Sequence, residues 1–183
     1  MLAATGIELR GGHRLLLEGA TFRIAPGDRI GLVGRNGSGK TTLTKVLAGA
    51  GTPTAGQVTV SGEVGYLPQD PRTGDLGMVA RDRILSARGL DTIIREMRDT
   101  EGAMASADDE TRDKAMSRYT RLEEQFTTRG GYAAESEAAA IASALGLDDR
   151  ILGQSLATLS GGQRRRVELS RILFSGASTR LLD

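Results

Sequence analysis

The stretch Gly34-Arg35-Asn36-Gly37-Ser38-Gly39-Lys40-Thr41 constrains this chain more than any other, because it meets the pattern G-x-x-x-x-G-K-[ST] at every fixed position. Each residue type answers a chemical need. Glycines let successive backbone N–H groups curl around phosphate oxygens, a lysine ammonium neutralises them, and a threonine hydroxyl is a hard ligand for Mg2+. The flanks agree. Arg29 to Val33 leaves the turn Pro26-Gly27-Asp28 as a short apolar run and is predicted to be a strand. Leu43, Val46 and Leu47 fall at helical spacing and predict a helix from Thr41 to Ala48, stopped at Gly49. A strand, a glycine loop and a helix in that order place the positive end of the helix at the anion. The candidate phosphate-binding residues are therefore Gly34, Arg35, Asn36, Gly37, Ser38, Gly39, Lys40, Thr41 and Thr42. A chance glycine-rich turn would have to reproduce the fixed positions and both flanking elements together.

Composition narrows the setting. The 183 residues are 39% hydrophobic and 26% charged, which suits a globular domain with a sizeable core and argues against disorder. A formal net charge of +1 gives no global field toward nucleic acid or membrane, so any such contact must come from a local patch. With no cysteine there is no thiol chemistry, and a reducing cytoplasm is the expected location. The opening Met1-Leu2-Ala3-Ala4-Thr5 lacks the basic and apolar segments of a signal peptide. No apolar run approaches the ~20 residues that span a bilayer.

Around the loop, Ala20, Phe22 and Ile24 alternate with Thr21 and Arg23, the period of a half-buried strand. Residues 57–60 and 64–67 read as two strands joined by Ser61-Gly62-Glu63. The middle is helical. Leu90, Ile93, Met97 and Met104 keep one face, as do Met116, Tyr119, Leu122 and Phe126, and a turn with an N-cap is expected at Ser106-Ala107-Asp108-Asp109. Two amphipathic helices folded back as a hairpin follow, with Gly102 weakening the first. After Gly130-Gly131 an alanine-rich helix should run from about Ala133 to Leu145, ended by Gly146, and another from Gln163 to Phe174.

A second motif, Leu159-Ser160-Gly161-Gly162-Gln163, opens that last helix. Ser160 can cap it, and the two glycines let its backbone come close to an anion. In the company of the lysine loop, this sequence resembles the ATP-binding cassette (ABC) ATPase family over nearly its whole length. The family's order is Walker A, glutamine loop, LSGGQ and Walker B. Tyr66-Leu67-Pro68-Gln69 is similar to the glutamine loop, and Leu181-Leu182-Asp183 to the end of the Walker B strand, although Arg180 stands where that strand is usually apolar. The resemblance implies ATP and Mg2+ as ligands, with Thr41, Gln69 and Asp183 around the metal and with Lys40 and Gln69 at the reacting phosphate. It further implies that Ser160, Gly161, Gly162 and Gln163 close over ATP held by a second cassette, head to tail.

The expected architecture is α/β: a P-loop NTPase of the ABC cassette type with a parallel core sheet, a small antiparallel β subdomain and an α-helical subdomain with a hairpin arm. Residues 1–70 would form the P-loop core and β subdomain, residues 71–162 the helical and arm region ending in LSGGQ, and residues 163–183 the signature helix and the start of Walker B. Gly31 to Gly37, Gly130-Gly131-Tyr132 and Leu159 to Phe174 resemble the ABC-F branch, whose members carry two cassettes and act on the ribosome in translation control or antibiotic resistance. Under that resemblance the hairpin is an arm, and rRNA is a partner. The alternatives are the nucleotide-binding subunit of an ABC transporter and a non-hydrolysing binding module. Arg95, Arg98, Arg112, Lys114, Arg118 and Arg121 could meet phosphates, yet acidic residues interleave with them, so the charges alone read as a solvated mixed face.

In the family, a glutamate after the Walker B aspartate and a switch histidine complete hydrolysis. A chain reaching only Asp183, read as a first cassette cut off there, is expected not to turn ATP over, and His13 reads as an exposed turn residue. The aromatic on which this family often stacks adenine has only Arg10, Gly11, Gly12 and His13 near its place, which leaves base preference open.

Overall fold

The computed structural model describes residues 1–69, 75–106 and 108–183 and falls into two compact units, one of residues 1–71 and 176–183, the other of residues 72–175. The boundary expected between residues 70 and 71, and Ala107 of the turn expected between the hairpin helices, lie outside the described residues.

In the first unit, β1 (Leu2–Gly11) and β2 (Arg14–Ile24) form an antiparallel hairpin whose two-residue loop is Gly12-His13, and β3 (Ala55–Val60) pairs on the other side of β1. His13 is exposed in that loop. The alternation read at 20–24 holds, with Ala20, Phe22 and Ile24 partly buried and Thr21 and Arg23 exposed. Helix α1 (Lys40–Leu47) lays Leu43, Val46 and Leu47 against Leu2, Ala4, Ile7 and Leu9 of β1 and Leu181 of β5 (Thr179–Leu182), which makes one core. Burying side chains of this size is worth about 1.5–3 kcal/mol each, so this core is what holds the start of α1 in place.

The two strands read at 57–60 and 64–67 exist but do not pair with each other. β4 (Val64–Leu67) lies parallel to β5, from Val64↔Thr179 to Leu67↔Leu182. Residues 61–63 therefore carry the chain from the antiparallel sheet to the parallel one. In β5, Thr179 and Leu181 are buried while Arg180 and Leu182 are exposed, so the arginine occupies the outward phase of a period-two strand.

Arg29 to Val33 does not form the expected strand. Ile30, Leu32 and Val33 are 63%, 49% and 90% exposed. The apolar composition is that of a strand, but among the described residues none pairs with this segment. A ladder needs a second backbone to complete its hydrogen bonds.

The second unit is helical. α2 (Ala80–Leu85) leads through a 3-10 turn to α3 (Leu90–Ser106), α4 (Asp109–Thr128), α5 (Gly131–Ala144), α6 (Asp149–Leu152) and α7 (Gly161–Phe174). α3 and α4 pack on each other as the expected hairpin, and α3 continues through Gly102. Asp108 caps α4 by accepting a hydrogen bond from the Thr111 amide at 2.9 Å. On α4 the inward row is Ala115, Tyr119, Leu122 and Phe126, with Met116 62% exposed. Counting back from Phe126 in steps of four, three and four reaches residue 115, so Met116 sits one step around the helix from that stripe.

Candidate functional site

In the first unit the loop from Gly34 to Gly39 enters α1 through Gly39, which caps the helix at φ +97. That left-handed conformation strains any residue with a Cβ, and an added Cβ would meet Leu16 of β2 at 3.1 Å. At Gly34 an added Cβ would lie 2.8 Å from Ser38 Oγ. The positive φ at Gly39 and the close approaches at Gly34 and Gly39 favour glycine at both positions, as in a loop whose amides face an anion. The Lys40 ammonium arches back over the loop and donates to the carbonyls of Gly34 at 2.7 Å and Arg35 at 2.9 Å. Two of its three donors are thereby directed, and the charge is fixed above the loop. Thr42, partly buried, follows in the first turn of α1.

The hydroxyl of Thr41 donates to Asp183 Oδ1 at 3.0 Å, and the Asp183 amide donates to the Leu67 carbonyl at 3.0 Å, which extends the β4–β5 pairing by one bond. The structure thus unites the loop threonine and the candidate Walker B aspartate. Tyr66 of β4 reaches the other carboxylate oxygen, its hydroxyl 3.5 Å from Asp183 Oδ2. Burial first, then the charge of Asp183 and the hydrogen bond to it, raise the Tyr66 hydroxyl above the usual phenol range. Gln69 is exposed two residues beyond β4, on the side of the parallel pair where Asp183 follows β5.

These donors suit Mg2+. A hydroxyl and a carboxylate oxygen in contact are hard ligands, and Mg2+ is ordinarily completed by phosphates and water. Among the described residues no cluster of three His, Cys, Asp or Glu side chains forms a cage. The nucleotide fits the loop on the same grounds: a glycine cradle, a fixed ammonium and a helix N-terminus.

The signature residues lie in the second unit. Ser160 caps α7, accepting from the Gln163 amide at 3.2 Å, while Gln163 Oε1 accepts from the Ser160 amide at 2.8 Å, a reciprocal capping box. A Cβ added at Gly161 or Gly162 would meet open space, so both are accessible from outside the chain. Leu159 is buried beneath them. The motif is a rigid, outward-facing helix start.

Two residues of the loop region carried no role in the sequence reading. Tyr66 was visible as part of Tyr66-Leu67-Pro68-Gln69, but nothing in its spacing says that it meets Asp183. Leu16 touches the loop because of β2's register, which the sequence does not display. Arg10, one of the residues near the adenine position, has its Nε bonded to Glu8 Oε1 at 2.8 Å.

The ABC transporter family matches residues 17–183. The tylosin resistance ATP-binding protein TlrC of Streptomyces fradiae is 39% identical over 190 residues, covering 100% of this chain and 34% of TlrC. The energy-dependent translational throttle protein EttA of Escherichia coli K12 is 32% identical over 174 residues, covering 93% of this chain and 30% of EttA. Both are ABC-F members, in keeping with the branch resemblance. The chain spans about a third of the length of these curated relatives. The ATP-binding cassette MJ0796, solved as a dimer with ADP and Pi, superposes with a TM-score of 0.59 at 19% identity over 96% of this chain and 70% of that one. An inward-facing putative metal-chelate type ABC transporter superposes at 0.62 with 21% identity over 100% of this chain and 59% of that one, and both structures speak for the fold alone. No helix among the described residues is long and apolar enough to cross a membrane. With the lysine loop, the Thr41–Asp183 contact and the capped LSGGQ helix all in place, the match over residues 17–183 establishes that this chain belongs to the ABC transporter family of ATP-binding cassettes.

Proposed function

We propose that this chain binds Mg·ATP at residues 34–42 and offers Ser160 to Gln163 to ATP held by a second cassette, as part of an ABC-F-type protein that acts on the ribosome in translation control or antibiotic resistance. The observation that carries the metal–nucleotide reading is the 3.0 Å contact between Thr41 and Asp183, residues 142 positions apart, beside a loop with its lysine ammonium folded over it. The ribosomal part is supported by likeness to a tylosin resistance protein and a translational throttle.

In this reading the loop amides and Lys40 hold the terminal phosphates. A Mg2+ held at Thr41, Gln69 and Asp183 would supply positive charge that offsets the negative charge of the phosphates. Thr41 ligates through its hydroxyl, Asp183 acts through its carboxylate, and Gln69 orients a water near the phosphate. The outward capping box of α7 keeps Ser160 and the two glycines set for a phosphate on the partner. The cytoplasm is the setting such a partner requires.

Lys40→Ala in the complete protein tests the nucleotide site. Equilibrium binding of Mg·ATP should fall by about 100-fold or more, since a charge-assisted contact to phosphate is lost along with the loop's order. Affinity equal to the parent's refutes the reading. Sedimentation with ribosomes in the presence of a non-hydrolysable ATP analogue tests the partner, and co-purification with a membrane-spanning subunit instead would favour the transporter alternative.

A further inference from the structure

Glu168 is a buried carboxylate on the signature helix that no part of the nucleotide site uses. Its side chain is 8% exposed, on the face of α7 that meets α2. One oxygen, Oε1, accepts from Arg83 Nε of α2 at 2.6 Å, and the other, Oε2, accepts from Arg171 Nε one turn along α7 at 2.8 Å. Beside it, Ala80, Ile84 and Leu85 of α2 share one apolar core with Val167 and Phe174 of α7. Apolar contact is non-directional, so it fixes distance between helices better than it fixes rotation or register. A guanidinium on a carboxylate is directional, and a buried ionic contact inside an apolar seam is a device for setting register. Arg171 holds the Glu168 side chain so that Oε1 faces Arg83. Because the capping box ties Ser160 and Gln163 to the first turn of α7, the pose of the helix is the pose of the signature loop.

We infer that Glu168 is a positioning residue: through Arg83 it sets the register of α7 on α2, and with it the placement of Ser160 and Gly162 toward the phosphates of a partner cassette. This rests on the reading that the signature serves a second cassette.

The test separates a cassette's own nucleotide from its service to a partner. Glu168→Gln, Arg83→Met and Arg83→Lys are made in the chain, with Arg171→Gln as a milder variant in case the first two fold poorly. Two quantities are measured: binding of a fluorescent ATP analogue with Mg2+ at dilute protein, and Mg·ATP-driven association of two copies by sedimentation velocity. Glu168→Gln and Arg83→Met should keep own-site affinity while association weakens by about tenfold or more, the scale of a lost buried charge contact at an ordered interface. Arg83→Lys, which keeps the charge but loses the directional guanidinium, should fall between the parent and Arg83→Met, as should Arg171→Gln. If the variants only melt earlier while their folded fraction associates as the parent does, or if both readouts fall together, the inference is overturned. A parent chain that binds nucleotide but does not associate overturns it along with the partner role of the signature. A parent that binds no Mg·ATP overturns the nucleotide reading at Lys40, which is a separate failure.

Discussion

Thr41 and Asp183 stand 3.0 Å apart, hydroxyl to carboxylate, although 142 positions separate them along the chain. The contact exists because α1 and β5 share a core through Leu43, Val46, Leu47 and Leu181. The same pairing makes a clear prediction. Thr41→Val keeps the shape and removes the hydroxyl, so Mg2+-dependent ATP affinity should drop by about tenfold, the size of one lost hydrogen bond to a charged group. Thr41→Ser should retain it. Titration calorimetry with and without EDTA checks this, and equal losses in both conditions would remove the metal role.

Gly39 joins the loop to α1 at φ +97 beneath Leu16. Gly39→Ala should destabilise the first unit by about 1–3 kcal/mol, the cost of forcing a residue with a Cβ into that region, with a further contribution from the 3.1 Å approach to Leu16. Denaturant unfolding measures the loss. Leu16→Ala in the same background should recover only the part due to Leu16 Cδ1, 3.3 Å away, and leave both the 3.1 Å approach of Cβ, which alanine keeps, and the backbone part.

Ser160 caps α7, and in the proposed reading it also donates to a partner's phosphate. As the cap of α7 it should be replaceable by aspartate, and Ser160→Ala should cost about 1 kcal/mol in helix stability. As a donor to a partner's phosphate it should not be replaceable, because a carboxylate there repels the anion. Thermal melting should therefore rank the aspartate variant with the parent, while Mg·ATP-driven association ranks it with alanine or below. Agreement of the two rankings would remove the phosphate role.

Asp108 carries a pH dependence that should stay local. The backbone hydrogen bond from Thr111 chiefly holds its carboxyl below the usual aspartate range. A lowered folded-state pKa contributes stability present above the unfolded value of about 3.9 and lost as pH falls through the folded one. The first turn of α4 should fray on acidification in that window. Amide exchange at Thr111 should report it, and Asp108→Asn, which still caps but does not titrate, should flatten the profile.

The expected helices at 41–48, 133–145 and 163–174 are present with ends shifted by a residue or two, and the hairpin is present as two helices. Their patterns repeat every three to four residues, and local hydrogen bonds are enough to express them. The stretch from Arg29 to Val33 shows the opposite case. Its apolar residues spell a strand, but strand formation depends on a neighbouring backbone, and the sequence of the segment holds no information about one. The pattern sets Met116 on one face with Tyr119, Leu122 and Phe126, but the packing of Leu122 and Phe126 buries Ala115 instead.

By itself, the sequence determined the glycine loop with its lysine, the capped LSGGQ helix and the helical arm, because each is a contiguous run whose residue types set local backbone geometry. Only the tertiary structure decided that Thr41 meets Asp183, that Tyr66 stands behind that carboxylate, that Leu16 closes on Gly39, and that Glu168 joins Arg83. Those contacts bridge elements far apart in the chain, and strand register and helix packing, which no single segment encodes, bring them together.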